Sequence, residues 1–90
     1  MMQQPEYWVI EERTLVIEDA PIIGVGTASL LDRNVFGPYA TRSDTLESID
    51  DLKSPHIRDG WRSIGDLLLR KGFQEIAYRI TERGRNRLSP

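Results

Sequence analysis

The sequence predicts an α+β domain: a small antiparallel β-meander followed by two or three helices and a final strand. Three observations predict it. Runs of β-branched and aromatic residues occupy the chain before Gly37, apolar residues recur at helical spacing after Asp44, and Ile76, Tyr78 and Ile80 return to a period of two.

The segments Tyr7–Glu11 and Thr14–Glu18 are β-forming runs separated by Glu12-Arg13, which makes them a hairpin or one bent strand. Asp19 to Pro21 supplies turn chemistry. Ile22–Leu31 then resumes an extended pattern, with Gly24 and Gly26 suited to a bulge. Asp32-Arg33-Asn34 reads as a tight connection, because asparagine tolerates the left-handed conformation. Val35-Phe36 forms the last run before Gly37-Pro38 ends it. Asp44 can cap a helix over Thr45–Leu52, with Glu47 reaching back from three residues on. Ser54-Pro55 is a second start signal, and Ile57, Trp61, Ile64 and Leu68 form one apolar stripe before Gly72 stops the helix. On that stripe Trp61 is expected in the core. Gly60 and Gly65 cost this helix about 1 kcal/mol each relative to alanine. Thr81 can cap a last short helix through Leu88.

Ninety residues suit a single domain, 1–90, divided into a β-rich acidic half (1–42) and a helical basic half (43–90). The net charge of -2 conceals this asymmetry. Up to Leu52 there are three arginines against ten carboxylates, a charge of -7; from Lys53 on, nine lysines and arginines face four carboxylates, a charge of +5. A basic half of this kind suits an anionic partner, or else pairs with the acidic half of the same chain or of a second copy. Cysteine is absent, which excludes disulfides and thiolate metal sites and makes the cytoplasm the default compartment. The polar start of the chain is unlike a signal peptide, and no apolar run approaches the roughly 20 residues that a bilayer requires, so no membrane partner is expected.

Catalytic patterns are missing. His56 is the single histidine, which rules out a histidine metal cluster or a histidine pair. Gly24-Val25-Gly26 lacks the third glycine of a dinucleotide fingerprint, since position 29 is serine. Glu11-Glu12 and Asp50-Asp51 are adjacent, so each pair diverges on a strand or helix and cannot share one site. The expectation is a non-catalytic binding or regulatory protein with no cofactor and no metal.

Leu69-Arg70-Lys71-Gly72-Phe73, followed by Tyr78, Ile80, Thr81, Gly84 and Leu88 at fixed spacing, resembles the C-terminal half of winged-helix transcription regulators over residues 45–88. The wing is truncated, because four residues separate Phe73 from Tyr78, and the family's first helix is not evident before Gly37. The resemblance implies a recognition helix after Ser54-Pro55 that presents His56, Arg58, Arg62 and Ser63 to the major groove. It also implies phosphate contacts from Arg79, Arg83, Arg85 and Arg87. The alternative is a protein-interaction module, a small adaptor or inhibitor of a host or phage machine, using the acidic residues Glu47, Asp50 and Asp51 or an exposed Trp61. A homodimer pairing acidic with basic faces is compatible with both.

Overall fold

The computed structural model describes residues 4–17 and 27–83. Its elements run β1 (Glu6–Ile17), β2 (Thr27–Tyr39), α1 (Arg42–Arg58), β3 (Arg62–Ser63), β4 (Leu68–Lys71) and β5 (Gln74–Arg83). The strands form one antiparallel sheet in the order β2-β1-β5-β4-β3, with α1 carrying the chain from one edge to the other. The two long central strands pair from Glu6 opposite Arg83 to Leu15 opposite Gln74. The sheet is therefore built on contacts between the two ends of the described chain.

Strand alternation assigns each residue to one of two faces. Val9, Leu69, Ile76 and Tyr78 face the helix and form the core with Ile49 and Trp61, while Phe36, Tyr39, Leu52 and Ile80 pack around them. On α1 the buried residues are Thr45, Ile49 and Lys53, four apart, which is the spacing of a single helix face. The Lys53 ammonium is buried yet satisfied. It donates to Ser63 Oγ at 2.7 Å and to the carbonyls of Asp66 and Gly65 at 3.2 and 3.5 Å, tying the helix to the β3–β4 hairpin. At the other end of the helix, Tyr39 Oη and Ser48 Oγ lie 2.6 Å apart and fasten it to β2.

A meander followed by two or three helices and a final strand is not the architecture. The helices expected at Thr45–Leu52 and from Pro55 onward are one continuous helix. Thr41 rather than Asp44 caps it, its hydroxyl accepting from Asp44 N at 3.0 Å. Pro55 sits inside the helix, where it withholds the N–H that Asp51 O would accept. Gly60 ends the helix. Its φ of 96° is open to glycine, and the amides of Asp59, Gly60 and Trp61 turn back onto the last carbonyls.

Residues 62–63 and 68–71 are consequently strands, joined by a bend at 64–67. Gly72, expected as a helix stop, is instead half of the two-residue turn between β4 and β5, with φ 60°. Of the expected apolar stripe only Trp61 is buried, whereas Ile57 and Ile64 are exposed. The half called helical, 43–90, thus holds most of one helix and three strands among its described residues. Thr81 lies within β5 rather than at a helix start, and residues 84–88 lie outside the described part.

In the first half, Tyr7–Glu11 and the start of the second run are the single strand β1. Asp32-Arg33-Asn34 is no turn, since these residues lie within β2 opposite Arg13, Glu12 and Glu11. The turn at 19–21 and the glycines 24 and 26 fall outside the described residues. β2 carries one extra residue at two places. Thr14 pairs with Leu30 while Arg13 pairs with Asp32, leaving Leu31 over, and three β2 steps from Phe36 to Tyr39 match two on β1. The second irregularity needs Gly37, whose φ is 138° and whose added Cβ would come within 3.0 Å of both the Trp8 ring and Tyr7 O.

Candidate nucleic-acid interface

The same alternation that builds the core fixes what the opposite face carries. Val9, Glu11, Arg13 and Leu15 point to the helix side, so Trp8, Ile10, Glu12 and Thr14 point away from it, and their neighbours on β5 are Thr81, Arg79, Ala77 and Glu75. Among the described residues no element covers this face.

Four arginines from the basic half gather there. Arg79 and Arg83 stand four residues apart on β5, about 13 Å along the strand. Arg70 on β4 is opposite Glu75 and forms an ion pair with it. Arg62 on β3 is directly opposite Arg70. Like charges facing each other across a ladder destabilise a sheet, and the two-residue strand β3 has little else to offset this. Arg33 on β2 joins the same face but is neutralised by Glu12, to which its Nε donates at 2.7 Å. Arg62, Arg79 and Arg83 make no ion pair or hydrogen bond among the described residues. Beside Arg83 on the same face lies an apolar hollow of about 210 Å³ lined by Trp8, Ile10, Val35, Thr81 and Arg83. The Trp8 Nε1–H is buried without a partner among the described residues.

The residues expected to contact nucleic acid are thus divided. Arg62, Arg79 and Arg83 share the open face. His56 and Arg58 do not, for they lie in the last turn of α1, and the recognition helix that was to carry Arg62 and Ser63 is not formed. Arg85 and Arg87 lie outside the described residues. Arg70 and Trp8 were missed, although Arg70 alternates with the buried Leu69.

His56 lines a separate cleft of about 640 Å³ on the helix side, with Arg13, Trp61, Lys71 and the exposed Phe73. These groups are largely engaged with one another. The Arg13 guanidinium lies 5.4 Å from the Trp61 ring centre, the His56 ring packs edge-on at 5.9 Å, and Lys71 donates to Asp59 O at 2.8 Å. On the same side Tyr78 Oη donates to Glu11 at 2.9 Å. Burial pushes the Tyr78 phenol well above its ordinary value, the hydrogen bond and charge of Glu11 add to the rise, and Arg13 opposes it.

Among the described residues no group of three or more histidine, cysteine, aspartate or glutamate side chains could hold a metal ion, and no helix is long and apolar enough to cross a membrane. In comparisons with family models, curated proteins and solved structures, the chain has no match.

Proposed function

We propose that this protein is a non-catalytic nucleic-acid-binding protein whose open sheet face takes an extended single strand. One observation carries the reading: among the described residues, Arg62, Arg79 and Arg83 have no ion-pair or hydrogen-bond partner and lie along a face that no element covers and that also presents Trp8 and Ile10. Free guanidiniums supply phosphate contacts and the salt dependence that goes with them, while an aromatic and aliphatic floor accommodates unstacked bases. An open sheet face suits a single strand better than a duplex, because no described helix projects from this face toward a major groove.

Fluorescence anisotropy with labelled single-stranded and duplex DNA and RNA, at low and at physiological salt, tests the proposal. The expected result is salt-sensitive binding that favours single strands and weakens in Arg79→Ala and Arg83→Ala on every sequence alike. No binding at low salt, where such contacts are strongest, would overturn it.

A further inference from the structure

β5 is longer than the strand beside it. β4 pairs with it only from Lys71 opposite Gln74 to Leu68 opposite Ala77. Tyr78 N then donates to Leu67 O at 2.8 Å, the last main-chain bond on that side among the described residues. From Arg79 to Arg83 the strand continues with β1 as its only described neighbour. Because the Tyr78 N–H points away from β1, alternation turns the main-chain groups of Ile80 and Glu82 away from β1 as well. The result, among the described residues, is an unpaired inner edge in line with β4, five residues long.

The space beside this edge is a groove of about 440 Å³. Leu67, Tyr78 and Ile80 line it, with Arg42 entering from the first turn of α1 and Arg79 from the open face. Neither arginine makes an ion pair among the described residues, and Glu12, the acid in the lining, is held by Arg33. We infer that this inner edge is a docking slot for an extended acidic peptide segment of a partner protein, added as a short strand in line with β4. Main-chain hydrogen bonds to Ile80 and Glu82 would hold it, and carboxylates at successive positions, which fall on opposite faces of a strand, would meet Arg42 and Arg79. A second copy of this chain fits poorly. Antiparallel self-pairing centred on Thr81 sets Arg79 of each copy opposite Arg83 of the other, placing like charges face to face twice. A nucleic acid lacks the regularly spaced amide donors that the edge carbonyls require. The inference goes beyond the nucleic-acid reading and does not rest on it, although both ligands would use Arg79.

The test is anisotropy of a labelled heptapeptide with two Glu-Glu pairs flanking a valine, measured on the whole chain. Its lysine counterpart and a version N-methylated at alternate amides are the controls. The expected result is saturable binding of the acidic peptide, weakened roughly tenfold or more by N-methylation, by lysine replacement and by Glu82→Pro. Proline at this exposed position removes an edge N–H that β1 does not use. Arg42→Glu combined with Arg79→Glu is expected to reverse the preference toward the lysine peptide. Equal binding of the N-methylated peptide would reduce the slot to charge attraction and overturn the inference, as would no binding of the acidic peptide at low salt. Should Glu82→Pro fail to fold, the N-methylated peptide on the unaltered protein decides the matter. N-methylation concerns the peptide alone, and Glu82 faces away from the open face, so neither change bears on the nucleic-acid titration.

Discussion

The two faces of the sheet are made by the same strands and differ in nearly everything else. On the helix side Val9, Leu69, Ile76 and Tyr78 are sealed beneath Ile49 and Trp61, and the polar groups that intrude are satisfied: Tyr78 by Glu11, Lys53 by three oxygens. On the other side the alternate residues of the same strands leave three guanidiniums unpaired among the described residues and set two arginines opposite each other. A period of two thus lets ten residues of β5 serve both purposes. One register holds the fold together, and the next holds charge that the fold does not use.

That division predicts that substitutions on the two faces separate stability from binding. The largest effect is expected for Leu69→Ala, which empties a fully buried site and should cost about 2–5 kcal/mol in chemical denaturation. Arg79→Ala with Arg83→Ala should leave stability within about 0.5 kcal/mol while lowering the slope of log affinity against log salt by about 2, one for each lost phosphate contact. Equal losses of stability and affinity in this pair would break the comparison. Arg62→Glu sharpens it further. Replacing a like-charged cross-strand pair with an opposite one should stabilise the sheet by about 0.2–1 kcal/mol and still weaken nucleic-acid binding. The last effect is set by pH. The Tyr78 phenol is held above its ordinary value when folded, so the unfolded chain releases its proton first and stability should fall as pH rises past about 10. In Tyr78→Phe the decline of Tm with pH over that range should be shallower than in the unaltered protein.

Much of the β-structure was legible because β1 and β5 are half-buried strands, and burial on one face writes alternation into the sequence. The second helix was misread for a local reason. A helix C-terminus and a two-residue hairpin turn both ask for glycine at positive φ, so Leu69-Arg70-Lys71-Gly72 fits either. What decides between them is the pairing of Leu69 with Ile76 across the sheet, supported by Gly60 and Gly65 at positive φ, and pairing is not a property of the segment itself. Ser54-Pro55 misled in the same way, since nothing local tells a helix start from the late turns of a helix already running from Arg42.

The candidate site was written in the sequence only as charge. The charge of the second half pointed to arginines but could not separate those spent inside the structure from those left over. Lys53 is consumed by the β3–β4 hairpin, Lys71 by the end of α1 and Arg70 by Glu75, while among the described residues Arg62, Arg79 and Arg83 remain on the open face. Counting charge gives an upper limit on a binding surface, and the fold decides how much of it is available.

The two irregularities in β2 bear on how the protein behaves at high concentration. β2 is an outer strand of thirteen residues, with Leu30, Leu31 and Val35 each about half exposed, which is the profile of a strand that templates fibrillar stacking. The supernumerary Leu31 and the step at Gly37-Pro38 divide the strand into two stretches of uninterrupted register, Thr27–Leu30 and Asp32–Phe36, and Asp32 and Arg33 in the longer one are charged. Each stretch is shorter than the six or seven residues of a steric zipper. The molecule can therefore present a long edge to solvent without offering its neighbours a ladder long enough to polymerise on.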